Sequence, residues 1–302
     1  MTVSTYRRIT IKPVAGALGA QISGVNLARL DEDTFAEIRR AFAEYLVIYF
    51  HDQEITPQDQ CAFAARFGPL THHPLIRTLP DHPHVAALIR DPDATGINFG
   101  GQWHADATFM ESPPLGSTLY AIEVPPYGGD TLFANLYLAY ESLSPGMKAL
   151  CDQLIVIHSA AGAYDPDRGA ADPKKSLIAQ KGMQFNAIED PKKETEHPLV
   201  CIHPDTGRKL IWETGVYCLR FKDMTEEESK PLLQFLHNHI SNPNFTCRFS
   251  YRKGTLGMWD NRCVQHFAVN DYPGFRRVMH RVQIGGTPPV GPAMPRRGPW
   301  HN

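Results

Sequence analysis

Apolar residues in the first part of the chain follow a helical spacing and then a strand-like one. Between residues 31 and 45 they recur three and four positions apart, which predicts an amphipathic helix. The apolar, β-branched run at 46–50 predicts a short buried strand directly after it. Thr56 and Pro57 provide a capping residue and a proline at the first helical position, so a second helix should run from there to about Phe67.

The rest of the chain consists mainly of short apolar runs separated by proline and glycine. A turn is predicted at 124–130, and strands are predicted from 131 and near 255–259, 263–269 and 278–284. One further helix should begin at a capping box formed by Thr225 and Glu228 and continue to about Ile240, and Pro231 could kink it. This pattern favours a mainly β fold with peripheral helices, an antiparallel sandwich or jelly roll.

One stretch, residues 160–194, departs from this pattern. It is rich in Asp, Lys, Gly and Pro and has little apolar periodicity. Long irregular segments of compact domains are often functional, so we expect an active-site lid here. Residues 1–302 are interpreted as a single domain that includes this lid.

Composition narrows the class of protein. The chain is 42% hydrophobic and 21% charged, which is typical of a globular enzyme. A formal net charge of -2 gives no indication of a nucleic-acid partner. The sequence has no long apolar run and no apolar segment of a signal peptide at its start, so we expect a cytoplasmic protein that does not bind a membrane. The six cysteines are scattered without a CxxC pair and are expected to be reduced.

Candidate chemistry starts with His104 and Asp106, which are separated by one residue. On a strand such positions face the same side, so both side chains could bind one metal ion. A distant His266, which follows an apolar strand and a polar turn, would complete a two-histidine, one-carboxylate triad. That triad leaves one face of the metal open and suits Fe(II) that binds dioxygen and a substrate together. With fourteen histidines in the chain, a lone histidine is more often an ordinary hydrogen-bonded residue.

Two arginines lie four positions apart in a predicted strand near the C-terminus. Arg277 and Arg281 would therefore share one face of that strand with Met279. Buried guanidinium groups need anionic partners. They could hold the carboxylates of a cosubstrate and a substrate, or they could face solvent or pair with local carboxylates. Spacing alone does not decide between these interpretations.

Four motifs occur in order: WHxD around residue 104, GGDTLF at 128–133, WDNRxxQH at 259–266 and RRxMHR at 276–281. With them the sequence resembles the family of taurine dioxygenase and 2,4-dichlorophenoxyacetate dioxygenase, from about residue 19 to residue 285. The resemblance implies a double-stranded β-helix and an Fe(II)-dependent oxygenase that uses 2-oxoglutarate as cosubstrate together with O2. It also implies that His104, Asp106 and His266 are the iron ligands and that Arg277 and Thr131 bind the far carboxylate of 2-oxoglutarate.

The resemblance also implies a set of substrate contacts. Arg281 and His73 match residues that bind the anionic group of the substrate, although His73 could also be an ordinary loop histidine. Tyr217 matches an aromatic wall of the substrate pocket, and core packing is an equal alternative. Two polar contacts of the taurine enzyme are missing, because this chain has Ile76 and Gly100 at or near those positions. A larger or more apolar substrate than taurine is therefore expected.

The expected reaction is hydroxylation of a small organic acid such as an aryloxyalkanoate, a sulfonate or an alkyl sulfate. Cleavage would follow if the hydroxylated carbon also carried oxygen, nitrogen or sulfur. The expected partners are this anionic substrate and further copies of the chain in a homo-oligomer. Two rival interpretations use the same triad: a zinc-dependent hydrolase with an activated water, and a non-catalytic jelly-roll binding protein. Neither rival explains the paired arginines or the intact cosubstrate residues.

Overall fold

The computed structural model of the chain describes residues 5–72, 76–94, 99–164 and 190–292. In chain order the described strands are β1 (Thr10–Pro13), β2 (Ala20–Ser23), β3 (Val47–Phe50), β4 (Leu70–Thr71), β5 (Thr78–Leu79), β6 (His82–Arg90), β7 (Gly116–Glu123), β8 (Thr131–Asn135), β9 (Ile155–Ser159), β10 (Glu194–Pro198), β11 (Val200–Ile202), β12 (Lys209–Ile211), β13 (Cys218–Phe221), β14 (Thr246–Phe249), β15 (Leu256–Asp260), β16 (Val264–Ala268) and β17 (Arg277–Ile284). The described α-helices are α1 (Glu32–Tyr45), α2 (Pro57–Ala65), α3 (Leu136–Glu141), α4 (Pro145–Cys151), α5 (Ala161–Tyr164) and α6 (Glu226–Ile240).

The largest sheet runs in the order β1-β2-β3-β15-β7-β17-β6-β5, and β4 pairs with β17. Its only parallel neighbours among the described strands are β2 and β3; the other pairs are antiparallel. A second sheet of three strands, in the order β14-β8-β16, is antiparallel throughout. Smaller sheets, β10-β9-β13 and β11-β12, complete the strand pairing.

The main hydrophobic core lies between the large sheet and the β14-β8-β16 sheet. Tyr49 of β3 contacts Phe133 of β8 edge-on, with ring centroids 6.3 Å apart, and Trp259 of β15 lies 5.9 Å from the same Phe133 ring. Met279 of β17 belongs to this cluster and is fully buried. These contacts join two facing sheets into the predicted jelly roll.

A second core covers the other face of the large sheet. Ile38 and Phe42 of α1 and Phe63 of α2 pack there with sheet residues such as Ile48 and Val282. Residues of β17 an odd number of positions apart thus serve different cores, Met279 the inner one and Val282 the outer one, as strand alternation requires. The described helices lie at the periphery, as the sequence predicts, and none of them is both long and apolar enough to cross a membrane.

The helices α1, α2 and α6 begin where the sequence predicts. Asp31 caps α1 by accepting a hydrogen bond from the Thr34 N–H, and both Thr56 and Thr225 form complete capping boxes, with Asp59 and Glu228 respectively. Pro231 lies inside α6 without ending it. All six cysteines are free thiols, as predicted.

The predicted lid falls mainly on residues 165–189, which lie outside the described residues. At its margins, Ala161–Tyr164 forms the short helix α5 and Glu194 begins β10. The lid and the single-domain interpretation stay predictions.

Candidate active site

The three predicted metal ligands meet at one point between the sheets. Asp106 Oδ1 lies 3.7 Å from His104 Nε2 and 3.6 Å from His266 Nε2. All three residues are buried, and their ligand atoms fit within the span of one metal ion. The structure brings the three predicted ligands together.

Backbone pairing brings the two histidines together. His266 lies on β16, and His104 forms an isolated β-bridge with it in which each N–H donates to the other's carbonyl, at 3.1 and 2.8 Å. His104 Nδ1 lies 2.7 Å from the Gln102 carbonyl, which fixes the tautomer and leaves Nε2 available. Burial lowers the pKa of His104 and lowers the pKa of His266 well below its usual value. Both rings are therefore kept neutral, which is the form that a metal needs.

The local structure around Asp106 differs from the prediction. His104 and Asp106 do not lie on a regular strand: His104 forms the isolated bridge, and a turn begins at Asp106, with Ala107 at a positive φ of 48°. Asn261 stabilises this turn, since its Oδ1 accepts from the Asp106 N–H at 2.7 Å and its Nδ2 donates to the carbonyls of Asp106 and Pro114 at 3.1 Å. Asn261 belongs to the WDNRxxQH motif but was not predicted as a site residue.

Arg281 is directly connected to the triad. It is 4% exposed, its Nη2 donates to Asp106 Oδ2 and, at 3.0 Å, to Ser117 Oγ, and its guanidinium carbon lies 5.2 Å from the Trp259 ring centre. Arg281 thus pairs with a carboxylate, as one of the two interpretations of the arginines allowed, and this carboxylate belongs to the predicted metal ligand Asp106. Arg281 Nε has no hydrogen-bond partner among the described residues, so the cation keeps a donor for a further anion.

Arg277 occupies a separate niche on the same face of β17. Its guanidinium carbon lies 5.6 Å from the centre of the Tyr251 ring, and its Nε lies against Gly129, where a Cβ would come within 3.2 Å. Burial raises the pKa of Tyr251 to about 12, whereas Arg277 and the Thr131 side chain lower it. The three groups therefore lie close together. In the described residues, neither Arg277 Nε nor the Tyr251 hydroxyl has a hydrogen-bond partner. A carboxylate would satisfy both, so the niche fits the cosubstrate.

Comparison with known proteins identifies the family. The sequence profile of the family described as "Taurine catabolism dioxygenase TauD, TfdA family" matches residues 10–283. The chain belongs to this family. It is therefore a 2-oxoglutarate-dependent non-haem iron dioxygenase with Fe(II), 2-oxoglutarate and O2 as its cofactor and cosubstrates, as the resemblance implied. The zinc-hydrolase and non-catalytic interpretations of the triad find no support in this membership.

Three TauD/TfdA relatives cover almost the whole chain. An alpha-ketoglutarate-dependent sulfate ester dioxygenase of Pseudomonas putida is 34% identical over 94% of this chain and 91% of its own length. An alkylsulfatase of Acinetobacter baylyi is 31% identical over 94% of this chain and 87% of its own length. The crystal structure of a taurine dioxygenase from Burkholderia xenovorans, 32% identical, superposes with a TM-score of 0.78 over 95% of this chain and 94% of that one. This likeness confirms the predicted jelly-roll fold of the family.

The predicted substrate residues of this TauD/TfdA enzyme are only partly described. Tyr217 is buried, its ring lies 5.2 Å from that of Phe109, and its hydroxyl lies 3.1 Å from the Tyr164 hydroxyl. Tyr217 packs in the same apolar cluster as Ala86, the cross-strand neighbour of Arg281, and burial raises the Tyr217 pKa well above its usual value. Ile76 belongs to the same cluster, whereas His73 lies outside the described residues.

A second buried group with metal-ligand chemistry, made of His203, Asp260 and Cys263, has a structural role. Asp260 accepts hydrogen bonds from the Arg262 guanidinium at 2.8 and 2.7 Å and lies 3.1 Å from His203 Nε2. The Cys263 thiol donates to the Asp260 carbonyl at 3.7 Å, and burial raises its pKa well above the usual value. The carboxylate is thus already paired, and the thiol stays protonated.

Proposed function

We propose that the substrate is a monoanionic alkyl sulfate ester with an apolar chain. The observation that carries the proposal is the buried cation Arg281, which has a spare donor and borders the apolar cluster around Tyr217. An anionic head group would face the arginine, and the alkyl chain would lie against the cluster.

We assign the site residues as follows. His104, Asp106 and His266 would hold Fe(II), and Arg277 with Thr131 would bind the far carboxylate of 2-oxoglutarate. When bound, the iron would supply the activation of dioxygen that couples decarboxylation of 2-oxoglutarate to oxidation of the substrate. Asn261 and Gln102 hold the ligands in place, and burial keeps bulk water away from the reacting groups.

Charge balance supports a singly negative substrate. The described charged side chains at the site are one carboxylate, Asp106, and the guanidinium groups of Arg277 and Arg281. Divalent iron and doubly negative 2-oxoglutarate cancel each other, so one positive charge is left in a buried environment. Burying an unpaired charge is costly, and a sulfate monoester neutralises it.

The apolar cluster supports an alkyl chain rather than a polar amine such as taurine carries. It contains Ile76, Ala86, Ala160, Tyr164 and Tyr217, and it includes partly buried neighbours such as Leu88, Phe99 and Phe109. Gly100 lies against His104, where a Cβ would be 3.4 Å from Cε1, so no polar side chain projects there. The names of the two curated relatives, a sulfate ester dioxygenase and an alkylsulfatase, agree with this choice.

The proposed reaction cleaves the ester by oxidation. Hydroxylation of the carbon that bears the sulfate oxygen gives a hemiacetal sulfate, which collapses to an aldehyde and hydrogen sulfate. One oxygen atom of O2 enters this hydroxyl group and the other enters succinate, and carbon dioxide leaves from 2-oxoglutarate. Arg281 would orient the sulfate so that this carbon faces the metal.

The test is a comparison of n-hexyl sulfate, n-hexanesulfonate, taurine and 2-phenoxypropionate with purified enzyme, Fe(II) and 2-oxoglutarate. We expect n-hexyl sulfate to give succinate, free sulfate and hexanal in equal amounts, with a specificity constant at least tenfold above that for taurine. Equal or faster turnover of taurine, or succinate without sulfate, would refute the proposed substrate class.

We further propose a cytoplasmic location, which six free thiols favour because disulfides are rare in reducing compartments. Homo-oligomerisation stays a prediction.

A further inference from the structure

An acid–base pair, with the acid buried and the base partly exposed, links the loop of residues 213–217 to α6. Glu213 is 1% exposed, and its Oε2 lies 3.6 Å from Nδ1 of His237 on α6. Within the described part of the chain, neither of these two atoms has a hydrogen bond of ordinary length to any other group. Burial raises the pKa of Glu213, whereas the interaction with Glu213 raises the pKa of His237. The two groups therefore depend on each other for compensation.

The backbone at Gly215 leaves space for the His237 ring beside Glu213. Gly215 lies directly under the His237 ring, and a Cβ at this position would overlap ring atoms Cε1 and Nδ1. A glycine is therefore required where the 213–217 loop crosses the helix. This close approach places the His237 ring in direct contact with the loop backbone.

The loop connects the pair to two parts of the active site. Tyr217, at its end, packs in the apolar cluster that contains Ala86, the cross-strand neighbour of Arg281, and the Tyr217 carbonyl accepts from the Ser159 N–H at 2.9 Å. The Gln265 side chain donates to the Glu213 carbonyl, and Gln265 directly precedes the iron ligand His266 on β16. Movement of Glu213 would thus shift a wall of the substrate pocket and the support beside one metal ligand.

We propose that Glu213 and His237 are positioning residues that fix the 213–217 loop against α6 and so set the place of Tyr217 in the substrate pocket. The pair touches neither metal nor substrate. It acts through Tyr217 and Gln265, and the use of an alkyl sulfate to probe it rests on the proposed function.

The test compares His237→Phe with His239→Phe, two variants on the same helix that keep a ring and lose a polar contact. His239 contacts the Ala139 carbonyl at 2.9 Å and stacks on Phe235, away from the 213–217 loop. We expect His237→Phe to raise the KM for n-hexyl sulfate by about tenfold, as misplacement of a substrate contact does, and to form more succinate than sulfate. His239→Phe should keep the wild-type KM and a succinate-to-sulfate ratio near one.

A spectroscopic titration separates substrate binding from turnover. The visible charge-transfer absorption of the anaerobic Fe(II)–2-oxoglutarate complex is titrated with n-hexyl sulfate. In His237→Phe the absorption without substrate should match that of the wild type, while the half-saturating concentration rises by about tenfold. His237→Gln, which keeps a donor, should recover most of this loss.

Amide hydrogen exchange of the 213–217 peptide tests the positioning role of Glu213 and His237 without any substrate. We expect faster exchange in His237→Phe and in Glu213→Gln than in the wild type or in His239→Phe. Equal exchange and equal KM in His237→Phe and His239→Phe would overturn the positioning role. If the wild type releases no sulfate from n-hexyl sulfate, the proposed substrate fails, and the exchange comparison still tests this inference.

Discussion

Two arginines on one face of β17 have different surroundings, and the difference assigns them different ligands. Both Nε atoms lack a hydrogen-bond partner in the described part of the chain, but Arg281 Nη2 already bonds Asp106 and Ser117, whereas Arg277 Nε lies against Gly129. The unpartnered group at Arg277 suits the cosubstrate carboxylate. The paired cation at Arg281 suits a role next to the metal, where it also compensates the buried charge of Asp106.

Replacing Arg277 with methionine should weaken 2-oxoglutarate binding and leave the fold intact. Loss of a hydrogen bond from a charged donor costs about 1.5–3 kcal/mol, so the KM for 2-oxoglutarate should rise by roughly ten- to a hundredfold. Succinate release at varied 2-oxoglutarate measures the effect. Arg276→Met is the matched control, because Arg276 is exposed and pairs with Glu123 and Asp91 instead. Equal KM values in the two variants would refute the cosubstrate assignment.

Asn261→Ala should lower iron affinity as well as stability. The substitution removes the hydrogen bonds to the Asp106 N–H and to the carbonyls of Asp106 and Pro114, and losing the partner of a buried polar group costs about 1–3 kcal/mol. Loss of such support typically weakens metal binding by about ten- to a hundredfold. Anaerobic Fe(II) titration and thermal unfolding measure the two effects.

Asn135→Ala is the control for Asn261→Ala. Asn135 is also buried and makes three hydrogen bonds, to the N–H groups of Tyr137 and Leu138 and to the Ala17 carbonyl. It should lose a similar amount of stability and keep its iron affinity. A parallel loss of iron affinity in both variants would mean that Asn261 only supports the fold.

At the level of elements, short-range signals predicted α1, α2 and α6 but not the shorter α3, α4 and α5, and they predicted the turn at Asp106 poorly. The capping boxes at Thr56 and Thr225 are complete in sequence, because donor and acceptor lie three residues apart. The expected strand at His104 and Asp106 is instead a bridge followed by a turn. The turn depends on Asn261, which is 155 residues away from Asp106 in the chain, so no local pattern could reveal it.

Helix α6 should depend measurably on its capping box. Thr225 Oγ1 accepts from the Glu228 N–H at 3.2 Å, and Glu228 Oε2 accepts from the Thr225 N–H at 2.8 Å. Thr225→Ala should therefore lower the free energy of unfolding by about 1 kcal/mol in urea. Thr10→Ala, at an exposed position of β1, should change it by less than about 0.5 kcal/mol. A Thr225→Ala variant as stable as Thr10→Ala would show that tertiary packing alone maintains α6.

At the scale of the whole molecule, the site exists only where distant strands meet. His104 and His266 pair across the fold, and Arg281 of the large sheet bonds Asp106. The motifs and the family resemblance predicted which residues converge, because each motif carries its own ligands. They did not predict the pairing of Arg281 with Asp106 or of Glu213 with His237, since both need side-chain geometry across sheets and helices.

Asp260 links the end of β15 to the loop between β11 and β12, so its ionisation should affect the stability of the entire fold. Burial alone would raise its pKa, but hydrogen bonds and charge from Arg262, with His203, lower the pKa to about 2. The unfolded chain has the ordinary value of 3.8 and binds more protons between these two values. The stabilisation is therefore fully present above about pH 4 and is lost as pH falls toward 2.

The lowered pKa of Asp260 sets the size of its contribution to the free energy of unfolding. The difference between 3.8 and about 2 corresponds to about 2 kcal/mol of unfolding free energy. Urea unfolding at a series of pH values from 5 downwards should show that the wild type loses more stability than Asp260→Asn over this range, because the amide cannot take up a proton. Asp33→Asn, at an exposed site paired with Arg8, should keep the steep wild-type dependence. If Asp260→Asn and the wild type lose stability in parallel, Asp260 is not ionised in the folded protein, and another group must compensate Arg262.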